Sequence, residues 1–169
     1  HGGNSLFRDQ LLPDHQSERL LKEMQQITIQ SAGRCGGEIE NRTFDLKKAL
    51  EELIDNYRSG HEKATINLDF QLKDPEIFAD PFHLIHLVDN LISNALKYAG
   101  EKAEIQITCK QEKPNKLLIS VKDNGPGVST HSRKRIFRTG FRSNHRHQNS
   151  HGIGLAYVRK IVRQYNGHI

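Results

Sequence analysis

The sequence predicts an α+β fold: a two-layer α/β sandwich in which a mixed, mostly antiparallel sheet packs on three helices, with an N-terminal helical appendage. Three observations predict it. Apolar residues change from a 3.6-residue period to a period of two and back along the chain. The period-two runs are short, and two of them flank a tight hairpin turn. Each helical segment carries one apolar stripe, which needs a facing layer to bury it. With 169 residues the chain can build one such domain and an appendage.

Residues 1–14 show no helical rhythm and open on Gly2-Gly3-Asn4-Ser5. Residues 16–39 predict a helix with Leu20, Leu21, Met24, Ile27 and Ala32 on one stripe, weakened by Gly33, Gly36 and Gly37. Residues 1–43 therefore read as a helical segment, and 44–169 as the domain proper. Asn41-Arg42-Thr43 predicts a turn, and residues 44–57 a helix with Leu46, Leu50, Leu53, Ile54 and Tyr57 inward. Ile66, Leu68 and Phe70 alternate as in a strand, and Glu76-Ile77-Phe78-Ala79 forms a shorter one.

The next helix organises the rest. Asp80 suits its N-cap and Pro81 its first position. Leu84, Val88, Leu91 and Ala95, widened by Ile85, Ile92 and Leu96, make a buried face. His86, Asn90, Asn94 and Lys97 make a second, polar stripe at the same spacing. Ala99-Gly100 ends the helix. Ile105, Ile107 and Cys109 alternate, Lys113-Pro114-Asn115 turns, and Leu117, Ile119 and Val121 alternate again. Asp123 continues their phase and so points toward the helix-covered face. Asn124-Gly125-Pro126-Gly127 is a turn. Residues 132–137 predict a short basic helix, and 138–151 a polar, mobile loop. Gly152-Ile153-Gly154-Leu155 opens a last amphipathic helix with Ala156, Val158, Ile161, Val162 and Tyr165 apolar, capped by Gly167.

Composition narrows the function classes. Hydrophobic residues are 35% and charged residues 27%, and no apolar run reaches membrane-span length. No signal peptide is visible. Two cysteines make no disulfide framework, and Cys109, in phase with core residues, predicts a buried thiol in a reducing compartment. A net charge of +5 implies an anionic partner, whether nucleic acid, membrane surface or polyphosphate.

Four features converge on polyphosphate chemistry: the Asn90/Asn94/Lys97 stripe, the inward Asp123 with Gly125 and Gly127, an aromatic and arginine run, and Gly152-x-Gly154 at a helix start. Glycines there let phosphate approach bare amides at the positive end of a helix dipole. A carboxylate accepts from the exocyclic amine of adenine and repels the guanine oxygen. An Asn oxygen is a hard donor for Mg²⁺, and a lysine neutralises phosphate. The Gly-x-x-x-x-Gly-Lys-Ser/Thr loop is absent, so the site is of another design.

Asn90-Leu91-Ile92-Ser93-Asn94-Ala95-Leu96-Lys97-Tyr98 resembles the N box of sensor histidine kinases. Asp123-Asn124-Gly125-Pro126-Gly127-Val128 resembles their first glycine box, and Ile136-Phe137-Arg138-Thr139-Gly140-Phe141-Arg142-Ser143 their F box. Gly152-Ile153-Gly154-Leu155-Ala156-Tyr157-Val158 is similar to the second glycine box. Order and spacing match over residues 44–169. The resemblance implies the Bergerat-type fold shared with gyrase, Hsp90 and mismatch-repair ATPases, with ATP and Mg²⁺ bound under a lid. It implies that Asn94 binds Mg²⁺, and that Asn90, Lys97 and Tyr98 contact phosphates or the lid side of the nucleotide. Asp123 would hold the adenine amine, with Gly125, Gly127 and Val128 shaping the pocket. Phe137 and Phe141 belong to the lid, Arg138 or Arg142 would reach the γ-phosphate, and Gly152, Ile153, Gly154 and Leu155 would meet phosphates. Related ATPases carry a water-activating Glu where Asn90 stands. An amide is no general base, so the site should hold ATP until a histidine nucleophile arrives.

The family further implies γ-phosphoryl transfer to a histidine on a dimerising helical hairpin, relay to a response regulator, a homodimeric parent and a cytoplasmic location, with any membrane anchor in other parts of the parent. His1 and His15 lack the acceptor pattern, and residues 16–39 resemble the second hairpin helix. Two departures stand out: Ser150-His151 replaces small residues before the second glycine box, and the family continues beyond Ile169 into further strands. A degenerate nucleotide-binding regulatory module and an anti-sigma-type serine kinase of the same fold are the alternatives. His145, His147 and His151 have zinc-like spacing without a Cys or carboxylate partner. Arg133-Lys134-Arg135 lacks a stacking aromatic, so nucleic acid is not the expected partner.

Overall fold

The computed structural model describes residues 39–133, 135–138 and 153–169. Their order is β1 (Arg42–Asp45), α1 (Leu46–Gly60), β2 (Thr65–Phe70), β3 (Glu76–Ala79), α2 (Pro81–Ala99), β4 (Glu104–Lys113), β5 (Lys116–Asp123) and α3 (Gly154–Gln164). The helix expected over 16–39 (all but Ile39), Cys35, Lys134, Phe141, Arg142, Gly152 and the histidines 145, 147 and 151 lie outside the described residues.

β2, β4 and β5 form one sheet in the order β2-β4-β5, with β2 parallel to β4 and β4 antiparallel to β5. A parallel pair needs a crossover, and α2 lies on the path between β2 and β4. Ile66, Ile105, Ile107 and Cys109 point to the helix layer and are buried, while Asn67, Gln106 and Lys110 between them are less so or exposed. One face is packed and the other meets water, as an antiparallel-rich sheet allows. From the helix layer come Leu46, Leu50 and Ile54 of α1, Leu84, Leu87, Val88, Ile92, Ala95 and Leu96 of α2, and Val158 and Ile161 of α3. Leu91 and Ile85, expected inside, are half-buried, and Leu87 and His83 take the interior positions. The buried stripe of α2 is rotated because this helix is covered by α1 on one side and α3 on the other.

Five expectations are corrected. Arg42 and Thr43, read as a turn, are in β1, which pairs with β3 through Thr43↔Phe78 and Phe44↔Ile77. The helix therefore starts at Leu46, because Asp45 is extended and its carboxylate accepts the Lys48 amide at 2.8 Å as an N-cap. β1 and β3 pair apart from the three-stranded sheet, so the strands do not form one sheet. Among the described residues of 132–137 there is no helix but a run of turns, such as Arg135 N–H to Ser132 and Arg138 N–H to Arg135. At the end of α3, Asn166 rather than Gly167 takes the left-handed conformation, with φ 53°. The Asn166 and Gly167 amides bond back to Arg163 and Val162 at 2.9 and 2.8 Å, closing the helix as a Schellman motif.

Candidate functional site

α2 begins as expected. Asp80 is extended and accepts the His83 amide, and Pro81 occupies the first turn. The helix ends at Gly100, whose φ of 83° supplies the left-handed turn. The stripe His86, Asn90, Asn94 and Lys97 is half-buried throughout, a polar line neither solvated nor sealed. Asn90 donates its side-chain amide to the His86 carbonyl at 2.8 Å, which fixes the rotamer. Its Oδ1 then faces the first residue of α3: a Cβ on Gly154 would sit 2.5 Å from that oxygen. A side chain at 154 would displace the Asn90 amide group. Ile153 precedes it, exposed, and among the described residues no side chain caps the first amides of α3. Leu155 is half-buried.

The other end of the stripe meets the Asn124-Gly125-Pro126-Gly127 turn. Asp123 ends β5 opposite Ile105, on the helix-covered face as its phase requires, and is half-buried. Its Oδ1 accepts the Gly125 amide at 2.8 Å. A Cβ on Gly125 would lie 2.7 Å from that oxygen and 3.3 Å from the Ala99 nitrogen. Gly127 needs its φ of 73°, and Val128 is exposed. Asn90 and Ala99 are nine residues apart on α2, about 13 Å at about 1.5 Å per residue. Asn94 and Lys97 occupy the interval. Tyr98 is exposed, with the Lys97 Nζ 5.2 Å from its ring centroid.

Phe137 and Arg138 take a different place. They line an open groove of about 550 Å³ against the outer face of α3, with Ala156, Arg159, Lys160, Arg163 and Gln164. Four cations border it, so it attracts anions.

Three positioning groups were not singled out from the sequence. Asn124 accepts the Glu104 amide at 2.9 Å and donates to the Lys102 carbonyl at 3.2 Å, pinning the turn beside the start of β4. Tyr57 of α1 donates to Asp89 Oδ1 at 2.6 Å. Burial first, then the Asp89 charge and bond, push the Tyr57 phenol up, so it stays a donor. His86 stands 3.8 Å from the same carboxylate, yet burial outweighs that attraction and holds its imidazole below the usual range. Tyr157 bonds His83 across 74 residues of sequence. Apart from His86–Asp89, an i,i+3 pair on α2, these pairs are not local, so no spacing rule could have found them. Only the Asn-Gly of the turn was a cue to Asn124. Among the described residues no group of histidine, cysteine and carboxylate side chains could by itself hold a metal.

A polar helix stripe with a side-chain-free glycine at each end, under a sheet that presents a carboxylate, defines an ATPase-type nucleotide fold. The chain belongs to the histidine kinase-, DNA gyrase B- and HSP90-like ATPase family, whose model matches residues 79–169. The matching region is the ATP-binding domain of the sensor histidine kinase type. The chain is similar to the sensor protein RprX of Bacteroides fragilis (strain YCH46), 28% identical over 137 residues that cover 78% of this chain and 26% of RprX. It thus spans about a quarter of that relative's length. Its fold matches histidine kinase ThkA, solved in complex with the response regulator protein TrrA, with a TM-score of 0.68, 21% identity and coverage of 95% of this chain and 47% of that one. Full-length ShkA, solved with AMPPNP, matches with a TM-score of 0.65 and 26% identity, covering 75% of this chain and 26% of ShkA.

Proposed function

We propose that residues 40–169 bind ATP with Mg²⁺ and transfer its γ-phosphoryl group to a histidine on a dimeric helical hairpin, for relay to a response-regulator aspartate. The observation that carries this reading is the pair of glycines bearing on the two ends of one polar stripe, Gly154 at Asn90 and Gly125 at Ala99 and Asp123. A nucleotide laid along the stripe has its base at Asp123 and its phosphates at the start of α3. Asp123 Oδ1 is held by the Gly125 amide, which leaves Oδ2 to accept from the adenine amine. Gly127 and Val128 border the base. Lys97 and Tyr98 neutralise or contact phosphate, and the uncapped amides after Ile153 receive it. Asn94 is a half-buried hard oxygen donor on the interval between the two glycines, a donor that fits Mg²⁺ shared with phosphate oxygens. In this reading Arg138, Arg142, Phe137 and Phe141 act from the lid, and catalysis is positioning and charge neutralisation. Asn90, fixed by its bond to the His86 carbonyl, carries an amide that is no general base, so it activates no water and ATP is held rather than hydrolysed. The AMPPNP in ShkA and the regulator on ThkA support the ligand and partner classes by analogy.

Calorimetric titration of ATP with Mg²⁺ tests the site. Asn94→Ala is expected to abolish Mg²⁺-dependent binding, and Asp123→Asn to weaken ATP by roughly 10- to 100-fold, the loss of a charged, half-buried hydrogen bond. Parent-like binding by both variants would refute the assignment. Labelled ATP incubated with a separate hairpin domain then tests transfer. An unlabelled histidine would make the domain a nucleotide-binding regulatory module, and acid-stable phosphate would make it a serine kinase.

A further inference from the structure

α3 runs antiparallel along α2, and three contacts set its position. Gly154 meets Asn90, Tyr157 meets His86 and His83, and the Tyr165 hydroxyl accepts the Asp80 amide at 2.8 Å. The middle contact differs from the rest of the interface. Val158 and Ile161 are apolar and tolerate sliding, because hydrophobic contact has no direction. The Tyr157 ring stands edge-on to His86 at 4.8 Å, and its hydroxyl lies 2.7 Å from His83 Nδ1. Tyr157 is 7% exposed and His83 3%, so water does not compete for that bond. The Asp80 carboxylate 3.8 Å from His83 Nε2 favours the proton on Nε2, which makes Nδ1 the acceptor and Tyr157 the donor. Asp80 is itself immobilised by the Glu40 and His83 amides. Tyr157 lies three residues after Gly154, on the same face of α3 and one turn from its start.

We propose that the Tyr157–His83 hydrogen bond is a positioning device for the phosphate end of the nucleotide site. It sets the register of α3 on α2, and so the distance between the first amides of α3 and the Asn90/Asn94/Lys97 stripe. The base end depends on β5, Gly125 and Ala99, none of which Tyr157 touches in the contacts above. The pair therefore governs affinity for the phosphates and not for the base. This inference rests on the nucleotide site proposed above.

The test compares MgATP and adenosine binding by the full chain. Tyr157→Phe keeps the ring and its packing and removes the hydroxyl. It is expected to weaken MgATP by about tenfold and adenosine by less than about twofold, with the His83 acceptor left unpaired. His83→Leu should give the same selective loss, and the double variant no more than either single one, since both remove one bond. His83→Asn, which keeps an acceptor near Nδ1, should restore most of the affinity. Equal losses for MgATP and adenosine, no loss of either, or additive losses would overturn the proposal and leave a structural contact only. A parent chain that binds neither ligand would overturn the site reading along with it, whereas a parent that binds both with an indifferent Tyr157→Phe would overturn this inference alone.

Discussion

His86 shows how a single residue links packing to pH. It is wedged between Phe82 and Tyr157, and burial holds its pKa below the ordinary 6.5. The native state therefore keeps the ring neutral where the unfolded chain already takes up a proton. The unfolded state binds more protons below pH 6.5, so this contribution is present above that value and lost as pH falls. The expected outcome is a steeper drop in melting temperature between about pH 7.5 and about pH 5.5 for the parent than for His86→Gln. Cys109 behaves in the opposite sense. It is fully buried, with Asp69 adding to the effect, and its thiol is pushed up to about 11. In a Cys35→Ser background it should resist alkylation at neutral pH until the chain is unfolded. Its period-two phase predicted the burial. The wedge around His86 was invisible because Tyr157 reaches it only after the fold closes.

At the scale of elements, ends carry the information. Asp80-Pro81 and Asp45 are N-caps whose chemistry is local. The first was legible, and the second was missed because the helix was expected to start at Phe44, two residues early, whereas Phe44 belongs to β1 and pairs with Ile77. The end of α3 depends on Asn166 at φ 53°, with Gly167 next to it packed on Val162. Asn166→Ala should destabilise the domain by about 1 kcal/mol, and Asn166→Gly should be neutral or stabilising, read from chemical denaturation midpoints. Two conformational glycines behave otherwise. Gly125 and Gly154 are needed for close approach rather than for positive φ. Gly125→Ala would drive a methyl onto the Asp123 carboxylate and the Ala99 backbone.

For the whole molecule, α2 is the element on which α1, α3 and the sheet all pack, and Ile92 at its centre is fully buried. Ile92→Ala should cost about 2–5 kcal/mol in urea unfolding, and saturating MgATP should raise the melting temperature of the parent. No described helix is long and apolar enough to cross a membrane. Among the described residues β5, Lys116–Asp123, is the last strand in the order β2-β4-β5 and carries lysines at positions 116 and 122.

By itself the sequence determined the period of nearly every element, the caps of α2, the strand phase that turns Asp123 inward and the four boxes that mark the family, because each depends on neighbours a few residues away. Tertiary structure decided the rest. The antiparallel seating of α3 on α2 put Gly154 on Asn90 and Tyr157 on His83. The return of β5 put Gly125 on Ala99, and the pairing of β1 with β3 moved the start of α1. These contacts join residues far apart in the chain, and packing geometry rather than local spacing selects them.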